Sequence, residues 1–121
     1  MPPPQPPRTR LRLVTSGKVT VVHFVDTRII SDETIQDVGV QLFNLVEVDG
    51  LAQLLINFEN VQFLSSNSLA KLVALDKKIK ARKGKLKLCG LKPIHHEIFR
   101  VTRIDSLLEI HEDEKSALAS F

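Results

Sequence analysis

The clearest candidate for chemistry in this chain is the polar run Ser65, Ser66, Asn67 and Ser68. It follows an apolar segment that ends near Phe58 and precedes an amphipathic helix, so we expect it at the carboxyl end of a strand, where α/β proteins place their sites. The N–H groups and positive dipole end of the helix suit a phosphate or an acidic partner group there. A serine at this point could instead serve only as the helix N-cap, and the residues alone leave both interpretations open.

Enzymatic chemistry finds little support in the sequence. A nucleophilic serine needs a base within hydrogen-bond reach, but there is no Gly-x-Ser-x-Gly motif, and His95 and His96 fall on another element without an evident acid partner. The five glycines are isolated, which excludes a glycine-rich phosphate loop. No metal-ligand spacing connects the histidines (His23, His95, His96, His111) with Cys89, so we interpret them as surface or capping residues. We expect a protein that is not an enzyme and needs no metal or cofactor.

Length and composition point to one globular domain, with 121 residues of which 43% are hydrophobic and 26% charged. The apolar stretches fall short of the roughly 20 residues that cross a bilayer. The start of the chain lacks the pattern of a secretory signal, so we expect a cytoplasmic protein that does not contact membranes. Cys89 is the only cysteine and lies among leucines, which predicts a buried strand and an unreactive thiol.

The formal net charge of +3 raises the question of nucleic acid. Its sources are the arginines near the start of the chain (Arg8, Arg10, Arg12) and the segment from Lys77 to Lys87. No aromatic residue interrupts the run from Lys77 to Lys85 to stack on bases. Cations near a helix carboxyl end are favoured by the helix dipole. We therefore interpret the run as a solvated helix end and predict no direct nucleic-acid binding.

Hydrophobic periodicity predicts the elements of the fold. They are paired strands 11–15 and 19–25, a helix from Ser31 to Asp49, a central strand 54–58, a helix to Arg82, a strand 85–89 with one wetter face, a helix from Pro93, a strand 107–110 and a helix 112–121. We expect Phe63 and Leu64 to point into the core. The order β-β-α-β-α-β-α-β-α predicts an α/β sandwich whose mixed sheet is mostly parallel, with one antiparallel edge strand. Residues 1–10, rich in proline, are expected to form a disordered tail outside the domain at 11–121.

Several segments together resemble the STAS family of anti-sigma factor antagonists, and the resemblance extends over 11–121. They are the apolar strand before the polar run, then 61–69, 83–89, 101–107 and 110–114. The resemblance implies a STAS-type sandwich with about four helices. In that family the loop typically reads Asp-Ser-Ser-Gly-Leu, and its first serine is phosphorylated by an anti-sigma kinase. That serine falls on Ser66, while Ser65 stands at the Asp position as an alternative acceptor.

Carried over by position, the partner surface of the family comprises Arg28, Ser31, Ser65, Ser66, Asn67 and Ser68. The partner implied is an anti-sigma factor, a serine kinase of the GHKL type that brings its own ATP, with a phosphatase as a further candidate. The chain would thereby regulate sigma-factor-dependent transcription. The alternative function is a STAS scaffold or small-ligand sensing subunit of a stress-signalling or transport complex, without phosphorylation. A third interpretation is an unrecognised serine hydrolase or phosphatase. The sequence does not indicate the oligomeric state.

Overall fold

The computed structural model describes residues 9–121, which form a five-stranded sheet and a separate two-stranded one. The strands of the larger sheet are β1 (Leu11–Ser16), β2 (Val19–Phe24), β4 (Gln53–Asn57), β6 (Lys85–Cys89) and β7 (Glu109–His111). The smaller sheet pairs β3 (Arg28–Ile29) with β5 (Phe63–Leu64). The helices are α1 (Asp32–Glu47), α2 (Ser66–Ala81), α3 (Pro93–Val101) and α4 (Glu114–Ala119), with a 3₁₀ turn at Ile104–Ser106.

The order in the larger sheet is β1-β2-β4-β6-β7. β1 is antiparallel to β2, and the remaining neighbours are parallel, as the alternation of strands and helices predicts. Gly17 makes the tight turn between β1 and β2 with a φ of +61°, which a residue with a side chain rarely adopts. The mixed, mostly parallel sheet and its four flanking helices confirm the predicted fold class.

Local sequence explains why α1 begins and lies where it does. Ser31 is its N-cap, and the Ser31 Oγ accepts a hydrogen bond of 3.2 Å from Thr34 N. Asp32 and Glu33 in the first turn complement the positive end of the helix dipole. The buried positions recur at helical spacing along one face: Ile35, Val38, Leu42, Leu45 and Val46.

Helices cover the two faces of the larger sheet unequally. On one face α1 and α2 enclose the main core, which includes Val22, Ile56 and Leu88. On the other face a smaller cluster, which includes Leu55 and Cys89, packs under the short helix α4. Because consecutive residues of a strand point to opposite faces, the central strands are apolar at almost every position.

Two expectations about polar and apolar faces are wrong. Phe63 is 50% exposed, whereas Leu64 is buried, because two neighbouring residues of one strand cannot point to the same side. Lys87 is only 5% exposed, so β6 has no wetter face at that position. The Lys87 ammonium lies 2.7 Å from both the O and the Oγ of Ser120 and 2.8 Å from Glu109 Oε2, and these partners make its burial tolerable.

The last two elements begin later than predicted. A strand is predicted at 107–110, but a 3₁₀ turn occupies Ile104–Ser106 and β7 begins at Glu109. Asp113 caps α4, and its Oδ1 accepts a hydrogen bond of 2.8 Å from Ser116 N, so this helix begins at Glu114.

The charged residues at the carboxyl end of α2 are partly paired. Asp76, on the apolar face of the helix, is buried and lies 2.8 Å from the Lys80 ammonium, one helical turn away. Lys78 Nζ lies 2.5 Å from Glu47 Oε1 and over the ring of Phe43. Within residues 9–121, no helix combines the length and the apolar character needed to cross a membrane.

The predicted tail at 1–10 falls mostly outside the described residues. Of the two positions described, Arg10 is buried, and its guanidinium lies 3.0 Å from Asp26 Oδ1 and 3.3 Å from Asp37 Oδ2. The main chain of Arg10 also accepts a hydrogen bond from Val25 N. Arg10 therefore contacts the domain, while residues 1–8 of the predicted tail lie outside the described residues.

Candidate partner-binding site

The loop from β5 into α2 carries the predicted acceptor serines. Ser65 has extended backbone angles at the N-cap position, and its N–H donates to Ile29 O over 3.1 Å. Its hydroxyl makes no capping bond, and the buried Oγ has no hydrogen-bond partner among residues 9–121. The simple capping interpretation therefore does not describe the Ser65 side chain. Burial also separates this hydroxyl from any protein that docks from outside.

Ser66 and Asn67 form the exposed first turn of α2. No acidic residue lies in this turn, so the N–H groups and the positive end of the dipole face solvent without a neutralising carboxylate. Ser68 is different, because it is 7% exposed and its hydroxyl donates to Ser65 O over 2.6 Å. Ser66 thus presents the accessible hydroxyl of the loop, and Ser68 supports the backbone beneath it.

The β3–β5 pairing brings Arg28 to the same surface. Arg28 and Phe63 are register partners, and the Arg28 guanidinium lies 4.8 Å from the centre of the Phe63 ring. This stacking orients both side chains while leaving Phe63 half exposed. Ile30 follows β3 and is 41% exposed. An apolar patch edged by a cation therefore lies beside the turn that carries Ser66.

Phe63 is the site residue that sequence reasoning missed, and a signal for it was present. Strand alternation allows only one of Phe63 and Leu64 to face inwards, and an exposed aromatic residue next to polar loop residues is typical of binding surfaces. Ser31 is exposed, but its hydroxyl is engaged in capping α1 and also donates to Thr34 Oγ1 over 2.9 Å. Arg28 is the predicted site residue that the pairing of β3 with β5 brings beside the loop of Ser65 and Ser66.

His95 is not a surface or capping residue, which corrects our expectation. It is 2% exposed, and its Nε2 lies 3.2 Å from Gln62 O, so this nitrogen donates its hydrogen to the carbonyl. Burial, above all, lowers the pKa of the imidazole, which keeps it neutral. Its Nδ1 is buried without a hydrogen-bond partner in the described part of the chain. The ring anchors main chain close to the site.

Other reactive side chains lie away from this loop. Burial raises the pKa of the Cys89 thiol to about 12, with smaller contributions from Glu114, Asp113 and Glu59, so the thiol is protonated at neutral pH. Among residues 9–121, no three His, Cys, Asp or Glu side chains are grouped so that they could hold a metal ion. At the start of α2, Ser66 therefore offers an exposed hydroxyl near the half-exposed ring of Phe63.

Comparisons with known proteins agree with this architecture. The STAS domain family model matches residues 10–117. An anti-sigma-factor antagonist (STAS) domain protein from Planctomyces limnophilus shares 25% sequence identity and superposes with a TM-score of 0.78, covering 91% of this chain and 95% of that one. An anti-sigma factor antagonist from Mycobacterium paratuberculosis has 21% identity and a TM-score of 0.79, covering 91% of both chains.

A third solved structure is the Bacillus cell fate determinant SpoIIAA in its phosphorylated form. It shares 13% identity with this chain, has a TM-score of 0.68, and the match covers 91% of this chain and 97% of that one. At this identity the likeness concerns the fold. The match of the family model to most of the sequence and the shared arrangement of strands and helices lead to one conclusion: the chain belongs to the STAS domain family.

Proposed function

We propose that this protein is an anti-sigma factor antagonist that binds an anti-sigma factor through the first turn of α2 and the β3–β5 patch. The observation that carries the proposal is the exposed Ser66 on an uncapped helix start, beside the Arg28–Phe63 pair. Solved relatives named as anti-sigma factor antagonists support it. The partner we propose is a serine kinase of the GHKL type that also phosphorylates Ser66 in the cytoplasm. The protein itself performs no catalysis.

Phosphorylation would switch the complex through charge. A phosphate on Ser66 adds about −1.5 to −2 charge, which the partner must desolvate on docking. The positive end of the α2 dipole stabilises that charge, so the modified fold persists while the interface is lost. Ser66 is preferred to Ser65 as the acceptor because the Ser65 Oγ is buried. A phosphatase would reset the switch.

The test uses each anti-sigma factor encoded in the same genome, purified and assayed singly. We expect one of them to bind the unmodified protein and to transfer phosphate from ATP to Ser66, located by mass spectrometry. Ser66→Ala should bind but resist phosphorylation, and Ser66→Asp should bind at least about tenfold more weakly, which corresponds to about 1.4 kcal/mol. Phosphate on Ser65, or wild-type affinity of Ser66→Asp, would contradict the assignment.

A matched control separates charge at the interface from charge in general. Ser16 is also an exposed serine, but it lies at the end of β1, next to the first residue of β2 and far from the carboxyl ends of the parallel strands. Ser16→Asp should leave the affinity unchanged. Because Ser66 is inside the first turn and makes no cap, neither of its substitutions should lower the melting temperature appreciably.

One observation favours the second candidate function, small-ligand sensing. An open cleft of about 580 Å³ lies beyond the carboxyl end of β2, lined by Arg12, His23, Glu59 and Asn60 among others. Its mixed charges suit a small zwitterionic or polar ligand. Thermal shifts with a panel of such metabolites, lost in Arg12→Ala, would support this function, and the phosphorylation assay above would then be negative.

A further inference from the structure

Side chains of α3 and its N-cap hold the loop that leads from β4 towards α2. Lys92 Nζ lies 2.8 Å from Glu59 O and 2.9 Å from Val61 O, and His95 Nε2 lies 3.2 Å from Gln62 O. Carbonyl oxygens can only accept, so the ammonium and the imidazole N–H are the donors. Three carbonyls within four consecutive residues thus bind two side chains, that of the N-cap Lys92 and that of His95 in the first turn of α3.

The opposite side of the same loop is held by the turn and strand before α1. Gln62 N and Phe63 N both donate to Thr27 O, over 2.8 and 3.1 Å, and Ser65 N donates to Ile29 O over 3.1 Å. The backbone that presents Phe63 is therefore fixed between two supports. One support is main chain, which substitutions barely alter, and the other consists of the Lys92 and His95 side chains.

The α3 support is itself rigid. Phe99 of α3 is fully buried in the main core, and Leu91, just before the helix, is buried as well. Burial of the His95 ring leaves it no freedom to swing to water. The ammonium of Lys92 makes charge-assisted hydrogen bonds, which are stronger than neutral ones. Displacement of the loop therefore requires breaking these bonds or moving α3 out of the core.

We infer that Lys92 and His95 are positioning residues, which set the conformation of the loop that carries Phe63 and leads into Ser66. Neither side chain needs to touch the partner. For partner recognition this inference rests on the proposed function, whereas for the loop itself it rests on the hydrogen bonds alone. Without the donors, the loop carbonyls turn to water, and Phe63 loses its fixed position relative to Arg28.

Amide hydrogen exchange tests the positioning directly, without any partner. In Lys92→Met we expect the amides of Gln62, Phe63 and Ser65 to exchange at least about tenfold faster, a factor equal to about 1.4 kcal/mol, while the amides of β4 keep their rates. Lys92→Arg and His95→Gln retain a donor, so these amides should exchange at about the wild-type rate. His95→Met has no donor, so the amides should exchange faster, as in Lys92→Met. Unchanged rates, or equal acceleration throughout the chain, would overturn the inference.

The consequence for recognition is measured with the anti-sigma factor that binds the wild type. Lys92→Met should lower kcat/KM for Ser66 phosphorylation about tenfold, Lys92→Arg should recover it, and Lys115→Met, which removes an exposed lysine of α4, should match the wild type. An equal loss in Lys115→Met would show a general charge effect and contradict positioning. Failure of Lys92→Arg to recover kcat/KM would show that a retained donor does not restore recognition, which would contradict it as well. If no anti-sigma factor bound the wild type, the proposed function would fail, and the exchange rates would still decide whether α3 holds the loop.

Discussion

Phe63 and Arg28 are the side chains that give the proposed interface its chemical character. A half-exposed phenyl ring offers a large apolar area at small cost in side-chain entropy, and the stacked guanidinium keeps it in one orientation. Interface energy usually concentrates in a few such residues, among which aromatic side chains and arginine are common. In the proposed complex Ser66 is the switch, while the ring and the cation supply much of the affinity.

We predict that Phe63→Ala weakens binding of the anti-sigma factor at least about tenfold, because the interface loses its central apolar contact. The melting temperature should change little, since half of the side chain is already in water. Val48→Ala is the matched control, because Val48 is exposed and lies at the opposite end of the 16-residue helix α1 from Ser31. Titration calorimetry of both variants provides the comparison, and equal affinities would contradict the prediction.

His95 makes the stability of the fold depend on pH. Burial, and to a smaller extent Lys92 and His96, lowers the pKa of its imidazole, although the hydrogen bond to Gln62 O opposes the shift. The unfolded chain, with a histidine pKa of about 6.5, therefore binds a proton more readily than the folded chain. Stability is complete above about pH 6.5 and decreases as the pH falls from there towards the lowered folded pKa.

We predict that His95→Gln removes this component, because the glutamine amide donates to Gln62 O and does not titrate. Urea unfolding at pH 7.5 and 5.5 measures the effect: the wild type and His96→Gln should lose more stability on acidification than His95→Gln. His96 is exposed, which makes it a suitable control on the same helix. Equal losses in all three proteins would contradict the assignment.

At the scale of elements, α4 is the cover of the smaller apolar cluster and of Cys89. The helix has only six residues and depends on its cap, in which the Asp113 carboxylate accepts from Ser116 N. Removing an N-cap costs about 1 kcal/mol, so Asp113→Ala should increase the fraction of open α4 roughly fivefold. We predict a corresponding increase in the rate at which an aromatic disulfide reagent labels Cys89.

Ser31→Ala is the matched control for that experiment, since it removes the N-cap of α1 on the other face of the sheet. It should change the global stability by a similar amount but leave the labelling of Cys89 near the wild-type rate. Equal acceleration by both substitutions would mean that Cys89 becomes accessible through global unfolding rather than through α4.

The basic end of α2 remains, in our interpretation, a solvated helix end. We predict that the triple substitution of Lys77, Lys83 and Lys85 by Gln leaves partner binding within about tenfold, because exposed charges contribute little. Lys80→Gln should lower the melting temperature more than a single substitution of Lys77, Lys83 or Lys85 by Gln, because it leaves the buried Asp76 carboxylate unpaired. Salt-sensitive RNA or DNA binding by the wild type, lost in the triple variant, would contradict the interpretation.

The elements that could be predicted are those with a long periodic pattern. The spacing of apolar residues in α1 and the run of apolar residues in β4 are strong signals because many residues share them. The strands β3 and β5 have only two residues each, too few for any period, so their pairing emerges only in the folded chain. Yet this pairing places Arg28 against Phe63 and thereby builds the site.

Burial of charged and polar side chains also depends on tertiary partners that no local pattern reveals. Lys87 reads as a solvent-facing position of β6, but Ser120 and Glu109 reach it from other elements. His95 similarly finds Gln62 O, which lies 33 positions away along the chain. That the loop before α2 carries an acceptor serine stays a prediction from the resemblance to a family, and no sequence pattern indicates which side chains hold that loop.

For the molecule as a whole, the parallel order of β2, β4 and β6 brings the carboxyl ends of these strands to one edge, and the loop that precedes α2 leaves from that edge. The opposite edge carries the basic residues at the end of α2 and the turn at Gly17. The proposed contact surface and the basic residues at the end of α2 therefore lie at opposite ends of the domain.

Arg10, which directly precedes β1, forms ion pairs with two aspartates of other segments. The guanidinium bridges Asp26, after β2, and Asp37, on α1, with about a tenth of the Arg10 side chain exposed. Removing one member of a buried ion pair leaves uncompensated charge and costs roughly 3 kcal/mol. Arg10→Met should therefore lower the melting temperature by roughly 10 °C, since 1 kcal/mol corresponds to about 4 °C for a chain of this length.

Arg12→Met serves as the matched control, because Arg12 lies two residues further along, is exposed, and takes part in no ion pair within residues 9–121. Its melting temperature should stay within about 2 °C of the wild type, as expected for a surface substitution. Equal effects of Arg10→Met and Arg12→Met would show that the two aspartates do not depend on Arg10 for compensation.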